Sequence, residues 1–257
     1  MSWILFATFF PLLFLSVPIS FVLILSTIAY ILAMGGDVSW LLVPSRIVRG
    51  MDSFLLMCLP FFVLAGNLMN NGGITERLIK LAQAFVGHIR GGLAMVDVMV
   101  CAFFGAVSGS AVAATSAVGS VMIPSLQKEG YPADFSAGLT AVASTMAPVI
   151  PPSLAFVLYG AVSRVPIGDL FVAGIFPGIL MAFALMSVVY VYAKRDKYPR
   201  LPRTSWKDRL KAVKESILCL ILPIFILGGI TTGIFTPTEA AAMAALYAFV
   251  LSMFIYK

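Results

Sequence analysis

Charge is scarce in this chain of 257 residues: Asp, Glu, Lys and Arg make up 11% of it, against roughly a quarter in soluble domains. With 61% of residues hydrophobic, that scarcity excludes a water-soluble globular fold. The longest polar stretch, residues 194–215, is 22 residues long, so no soluble domain fits between the apolar runs. Cysteine is nearly absent too. Cys58, Cys101 and Cys219 lie in apolar runs without CxxC spacing, which argues against a disulfide framework or a zinc site. No run of carboxylates falls inside the apolar segments, and this weakens a proton-pump reading. His88 is the single histidine; on the polar face of a surface helix it is expected to be solvated. The N-terminus lacks the basic start of a cleavable signal peptide, and residues 3–34 are too long for a signal core, so they read as an uncleaved first span.

What is present is a series of apolar runs long enough to cross a bilayer, which needs about 20 residues per helix. The chain therefore reads as an all-α integral membrane protein, a multi-span helical bundle with amphipathic surface helices. The net charge of +6 is not a nucleic-acid signal: nine of the 17 basic residues fall in 194–214, between two apolar runs. By the positive-inside pattern that loop is cytoplasmic. A polybasic patch for membrane lipid is a sharper reading of the same cluster.

Residues 3–34 form one span softened by Pro11 and Pro18, closed by Gly35-Gly36-Asp37. Residues 43–52, with Arg46 and Arg49 one turn apart, suit an interfacial helix. Residues 53–70 are apolar around Pro60 and end in an Asn-Asn-Gly-Gly turn. Residues 74–89 alternate apolar and charged positions with helical period, as expected for a helix lying along the membrane surface. Residues 206–215 read as a second amphipathic helix, separate from a span over 216–232. Thr236-Pro-Thr-Glu239 reads as a capping box with proline at the first helical position. Gly174 and Gly178 are spaced for close helix packing.

The centre of the chain is different. Gly91-Gly92 opens a hairpin with limbs at 93–107 and 110–128, turning at Ser108-Gly109-Ser110 between apolar flanks. A helix over 134–146 then halts at Pro148-Val-Ile-Pro-Pro152 and resumes over 153–162. Unpaired backbone groups in lipid cost several kcal/mol each, so breaks at membrane depth persist only inside protein or beside a water-filled cavity. Ser108 and Ser110 offer hydroxyl oxygens, and Ser144, Thr145 and Ser153 add others beside the second break. Unwound carbonyls and hydroxyls form a cage that suits a hard cation such as sodium. The plain alternatives are a glycine-serine kink and a proline hinge with no ligand. Asp97, in the first turns after Gly91-Gly92, suits the helix dipole or a proton relay; Glu239 is accounted for by its cap. Ser108 before Gly109 faintly resembles the GxSG of intramembrane serine proteases, but Ala106 stands where the first glycine should be.

The runs GAVSGSAVAATSAVGSVMIPSLQKEGYP, ASTMAPVIPPS, IGDLFVAGIFPG and GIFTPTEAAA, in that order, resemble the large membrane subunit of TRAP transporters, the DctM-like family. The resemblance extends along the whole chain, departing at Pro166, where the family usually has serine. It implies one half of an inverted-repeat elevator transporter, a multi-pass protein of the cell inner membrane and not an enzyme. The re-entrant hairpin and interrupted helix (91–165) would form the mobile element, between a scaffold span and arm helix in 1–90 and scaffold spans in 166–257. Such proteins are driven by a sodium gradient and import organic anions such as C4-dicarboxylates or sialic acid. They work with a small DctQ-like membrane subunit and a periplasmic DctP-like binding protein. Carried over position by position, sodium falls to Ser108, Gly109, Ser110, Pro148, Val149, Pro151 and Ser153, and the substrate to the vicinity of Ser110, Ala111, Pro152 and Ser153. Family members continue into a second hairpin and interrupted helix, so the chain is expected to be a truncated or split subunit. A non-transporting assembly subunit and an intramembrane serine hydrolase are the alternatives.

Overall fold

The protein is described by a computed structural model covering residues 3–35, 41–196, 198 and 200–256. Gly36 and Asp37, expected to close the first span, and Lys197 of the basic loop lie outside the described residues. Twelve α-helices and no strands are found among the described residues, in two compact units, Met1–Ser53 and Phe54–Lys257.

The first unit holds α1 (Trp3–Phe14), α2 (Ile19–Met34) and α3 (Leu42–Met51). Residues 3–34 are thus two helices of 12 and 16 residues packed on one another, not one span. Pro18 causes the difference. It has no N–H to continue the first helix and biases the residue before it away from the helical region; Ser16 takes a left-handed φ of 58°. The α3 helix carries Arg46 and Arg49 as expected and buries none of its residues.

The second unit begins with α4 (Cys58–Asn71) and α5 (Ile74–Val86). Pro60 sits in the first turn of α4, where a missing N–H is harmless. The charge pattern of α5 is that of an amphipathic helix, but its apolar face meets protein: Ile74, Leu78, Ile79, Leu81 and Ala82 are buried, with α6 and α11 packed against the helix. His88 lies beyond the end of α5, half-buried, and its Nδ1 is enclosed without a protein partner, rather than on a solvated face.

The hairpin is α6 (Gly92–Ser108) and α7 (Ala111–Lys128); the interrupted helix is α8 (Ala133–Ser144) and α9 (Leu154–Ser163). Among the described residues three helices are long and apolar enough to cross a membrane: α10 (Ile167–Arg195), α11 (Trp206–Thr231), and α12 (Pro237–Val250) extended by a π-helical turn (Leu251–Ile255). The expected surface helix at 206–215 is the first part of α11. Its 26 residues measure about 39 Å, longer than the ~30 Å hydrocarbon layer, so one helix, with Pro223 inside it, serves both roles. α10 exposes Phe176 (75%) and Phe183 (66%), an arrangement suited to lipid rather than water.

α4 and α12 run side by side in the same sense. Thr238 donates to the Phe54 carbonyl near their starts and Ser252 to the Leu68 carbonyl near their ends. The buried face of α12 is almost wholly alanine (Ala240, Ala241, Ala244, Ala245, Ala248), which lets the backbones approach closely. The capping box forms as read: Thr236 N donates to Glu239 at 2.8 Å and Glu239 N to Thr236 Oγ1 at 3.3 Å.

Candidate functional site

Gly109 ends α6 at φ 60°, ψ 13°, its N–H bonded to the Gly105 carbonyl at 2.8 Å. An L-residue in this left-handed conformation loses about 1–2 kcal/mol; glycine does not. Ser110 is extended (φ −129°, ψ 120°) and caps α7, its Oγ accepting from Ala113 N. Ser110 N donates in turn to Ser108 Oγ at 3.4 Å. The two hydroxyls therefore bond back into the turn that carries them, and Ser108 is 4% exposed.

The second break opens at Thr145, three residues before the first proline. Beyond Ser144 the chain tightens to i→i−3 bonds, from Met146 N to Ala143 O, Ala147 N to Ser144 O and Val149 N to Met146 O. Pro148, Pro151 and Pro152 offer no N–H, and the Pro151–Pro152 peptide is cis. Ser153, extended at φ −115°, ψ 127°, then caps α9. Its Oγ accepts from Phe156 N at 3.2 Å and donates to the Pro148 carbonyl at 2.6 Å, so the hydroxyl clasps both sides of the gap.

These two irregular segments touch. A Cβ placed on Gly109 would lie 2.6 Å from the Pro152 carbonyl oxygen, 2.9 Å from Leu154 N and 3.2 Å from Ser153 Cα. One turn earlier, a Cβ on Gly105 would lie 2.7 Å from Ala147 Cα. Ser108, Gly109 and Ser110 are thereby brought against Pro152 and Ser153, with Ala111 half-buried beside them. Pro148 and Pro151 lie within the break. The Val149 carbonyl is approached instead by α10: a Cβ on Gly174 would lie 2.5 Å from it, and one on Gly178 2.6 Å from Ile150. The two glycines spaced for packing thus receive the break itself.

The electrostatics follow from the backbone. Two serine-capped helix starts, those of α7 and α9, and two helix ends, those of α6 and α8, converge at the contact. Starts favour anions and ends favour cations, so neutral oxygens and aligned dipoles can hold a cation and an adjacent carboxylate without a buried charge. Among the described residues no three His, Cys, Asp or Glu side chains cluster to hold a metal. A nucleophilic role for Ser108 lacks its base: His88 neighbours the start of α6, whose 17 residues put about 25 Å between the histidine and the hairpin tip.

Residues 6–257 match the model of the family described as "Tripartite ATP-independent periplasmic transporter, DctM component". The chain belongs to the DctM family. It is 42% identical over 246 residues to the sialic acid TRAP transporter large permease protein SiaM of Vibrio cholerae serotype O1, covering 96% of this chain and 57% of the relative. It is 44% identical over 206 residues to the C4-dicarboxylate TRAP transporter large permease protein DctM of Pseudomonas aeruginosa, covering 80% and 48%. With the ectoine/5-hydroxyectoine TRAP transporter large permease protein UehC of Ruegeria pomeroyi the identity is 38% over 258 residues, covering 100% and 60%. The chain thus spans about half to three-fifths of the length of these relatives. The family is one of transporters, not enzymes, and its members are membrane permeases.

Several parts of the site escape a reading of local sequence. Gly66 on α4 lies against Ser108, where a Cβ would stand 3.4 Å from its Cα and Cβ, and nothing near Gly66 announces this. Gly105 could have been found, because it precedes Gly109 by four and forms a small-residue pair with it. Asp97 lies in the second turn of its helix. It is the sixth residue of α6, fully buried, with its Oδ2 2.8 Å from Thr140 Oγ1 of α8.

Proposed function

We propose that the chain forms half of a sodium-coupled, binding-protein-dependent secondary transporter of the inner membrane that imports organic anions of the C4-dicarboxylate or sialic acid type. The observation that carries this reading is the contact of Gly109 with Pro152 and Ser153, which brings two capped helix starts and two helix ends together at one place. Sodium is held by the hydroxyl and carbonyl oxygens of Ser108, Gly109 and Ser110 on one side and of Pro148, Pro151 and Ser153 on the other, while the Val149 carbonyl, which α10 approaches at Gly174, is left out of the set. The substrate carboxylate sits beside it, near Ser110, Ala111, Pro152 and Ser153, facing the starts of α7 and α9. Binding the ion draws the tip and the break together, and the element 91–165 then moves as an elevator along the scaffold spans. A small DctQ-like membrane subunit and a periplasmic DctP-like binding protein complete the system. The family description, tripartite and periplasmic, supports these partners, and the relatives' names support the substrate class.

The test is uptake into proteoliposomes by the full-length subunit with both partners under an imposed sodium gradient. Ser108→Ala and Ser110→Ala are expected to raise the half-saturating sodium concentration about tenfold, corresponding to ~1.4 kcal/mol. Uptake that proceeds equally without sodium, or mutants with unaltered sodium dependence, would refute the site.

A further inference from the structure

The most deeply buried carboxyl of the second unit has no place in that mechanism. Asp97, on the first hairpin limb, is 0% exposed, and so are Thr140, Ser136 and Ser144 on α8 and Cys101 one turn along from it. Thr140 Oγ1 lies 2.8 Å from Asp97 Oδ2 and 3.1 Å from the Ser136 carbonyl. Cys101 Sγ lies 3.9 Å from Asp97 Oδ1 and 3.7 Å from Ser144 Oγ. These are the polar groups around the carboxyl; among the described residues no cationic side chain pairs with it.

Counting hydrogens gives the cluster its meaning. Thr140 has one hydroxyl hydrogen and two acceptors within reach. If it serves Ser136, as threonines in helices commonly do, the contact with Asp97 is a hydrogen bond only when the carboxyl supplies the hydrogen. If it serves Asp97, a bare carboxylate remains enclosed with one strong donor and no counter-charge, an arrangement that buried charges avoid. A neutral carboxylic acid gives a chain in which every member is used: Asp97 donates to Thr140, and Thr140 to the Ser136 carbonyl.

The position of this chain matters as much as its composition. It joins α6 to α8, the two helices whose ends form the tip and the break. Thr140 stands five residues before Thr145, where the break opens. Between side chains of α6 and α8 the other polar contact is the longer one of Cys101 Sγ with Ser144 Oγ at 3.7 Å, so the 2.8 Å contact of Asp97 with Thr140 is the stronger tie on their register.

We propose that Asp97 is an uncharged hydrogen-bonding bridge that fastens the first hairpin limb to the first half of the interrupted helix, and thereby positions the tip against the break. It is a positioning residue, not an ion ligand. Its effect on transport rests on the function proposed above, so the first measurement is independent of transport. Infrared difference spectra of the full-length subunit in lipid at neutral pH, wild type against Asp97→Asn, should contain a carboxylic acid C=O stretch that Thr140→Val shifts. Carboxylate bands in its place overturn the proposal, whatever the transport assay shows.

The second measurement reads the consequence for sodium. Thr140→Val should raise the half-saturating sodium concentration about threefold to tenfold, the effect of one lost buried hydrogen bond, and Thr140→Ser should restore it. Asp97→Asn, whose amide both donates and accepts, should retain sodium-dependent uptake. Loss of uptake in folded Asp97→Asn would mean that the charge is needed, and unchanged sodium dependence in Thr140→Val would mean that the bond positions nothing; either result overturns the bridge. A wild type without sodium dependence refutes the transport reading and leaves the infrared result standing.

Discussion

At the hairpin tip a helix is stopped by glycine, and the chain doubles back from α6 into α7. At residues 145–153 a helix is stopped by a tightened turn and prolines, and α8 gives way to α9 along the same flank of α10. The restarts, by contrast, are alike. Ser110 and Ser153 both stand extended, and each offers its hydroxyl to the N–H three residues on. The stops settle the path of the chain, reversal or continuation. The shared restart settles the chemistry, because each presents a helix start capped by a single neutral oxygen. Glycine is indispensable at the first stop because a left-handed backbone and a close neighbour coincide there. The second needs no glycine of its own and borrows the room from Gly174 and Gly178 across the contact.

That contrast can be broken most severely at Gly109. Gly109→Val combines left-handed strain with a collision against the Pro152 carbonyl and should abolish sodium-dependent uptake while leaving the protein inserted. Retention of more than about a tenth of wild-type uptake would mean that the tip and break need not touch. Gly174→Val comes next. Its side chain meets the Val149 carbonyl and the Phe156 ring, so uptake should fall by about tenfold or more, whereas Gly178→Val, which meets the Ile150 side chain at Cγ1 and no carbonyl, should cost less. Equal effects at the two positions would show that side-chain bulk, rather than the backbone of the break, sets the limit.

Ser153→Ala removes a cap and the clasp to Pro148 together, at roughly 1–2 kcal/mol. It should shift the sodium requirement more than Ser110→Ala, which likewise removes one proposed ligand hydroxyl but only a single, longer cap bond. The reverse order would give the tip, not the break, the larger part in binding. The smallest effect is expected at the third capped start, which lies outside the site. Thr236→Ala should lower thermal stability by about 1 kcal/mol with no change in sodium dependence, and a sodium effect there would extend the site beyond the hairpin and the break.

Both irregular segments were legible in the sequence, because glycine, serine and proline act on the backbone they belong to. The capping box at Thr236 was legible for the same reason. What depends on partners distant in the chain was not. The apolar face of α5 has the period of a membrane-surface helix, yet Leu78 and Leu81 are buried in the protein; a helical period reports that a face is apolar and not what covers it. The boundary between 215 and 216 was an illusion of composition, since one helix leaving the interface for the lipid must change its residues midway. Pro18 reads as a softening of one span and is a full break, because its missing N–H coincides with a left-handed Ser16, a conformation that no pattern of hydrophobicity encodes. The burial of Asp97 against α8 has no local signal, because Thr140, its partner, is 43 residues away.

The contact between tip and break is lined by glycine, alanine, serine and proline, and this has a kinetic consequence. Glycine, alanine and proline have no side-chain rotor to freeze, and serine has few. On the function proposed above, capture of an ion there would immobilise little, leaving its entropy cost to solvent and main chain. Loading and unloading should accordingly be paced by separation of the two backbone segments, and a cross-link that holds them together should slow ion exchange without altering the set of oxygens that the ion meets.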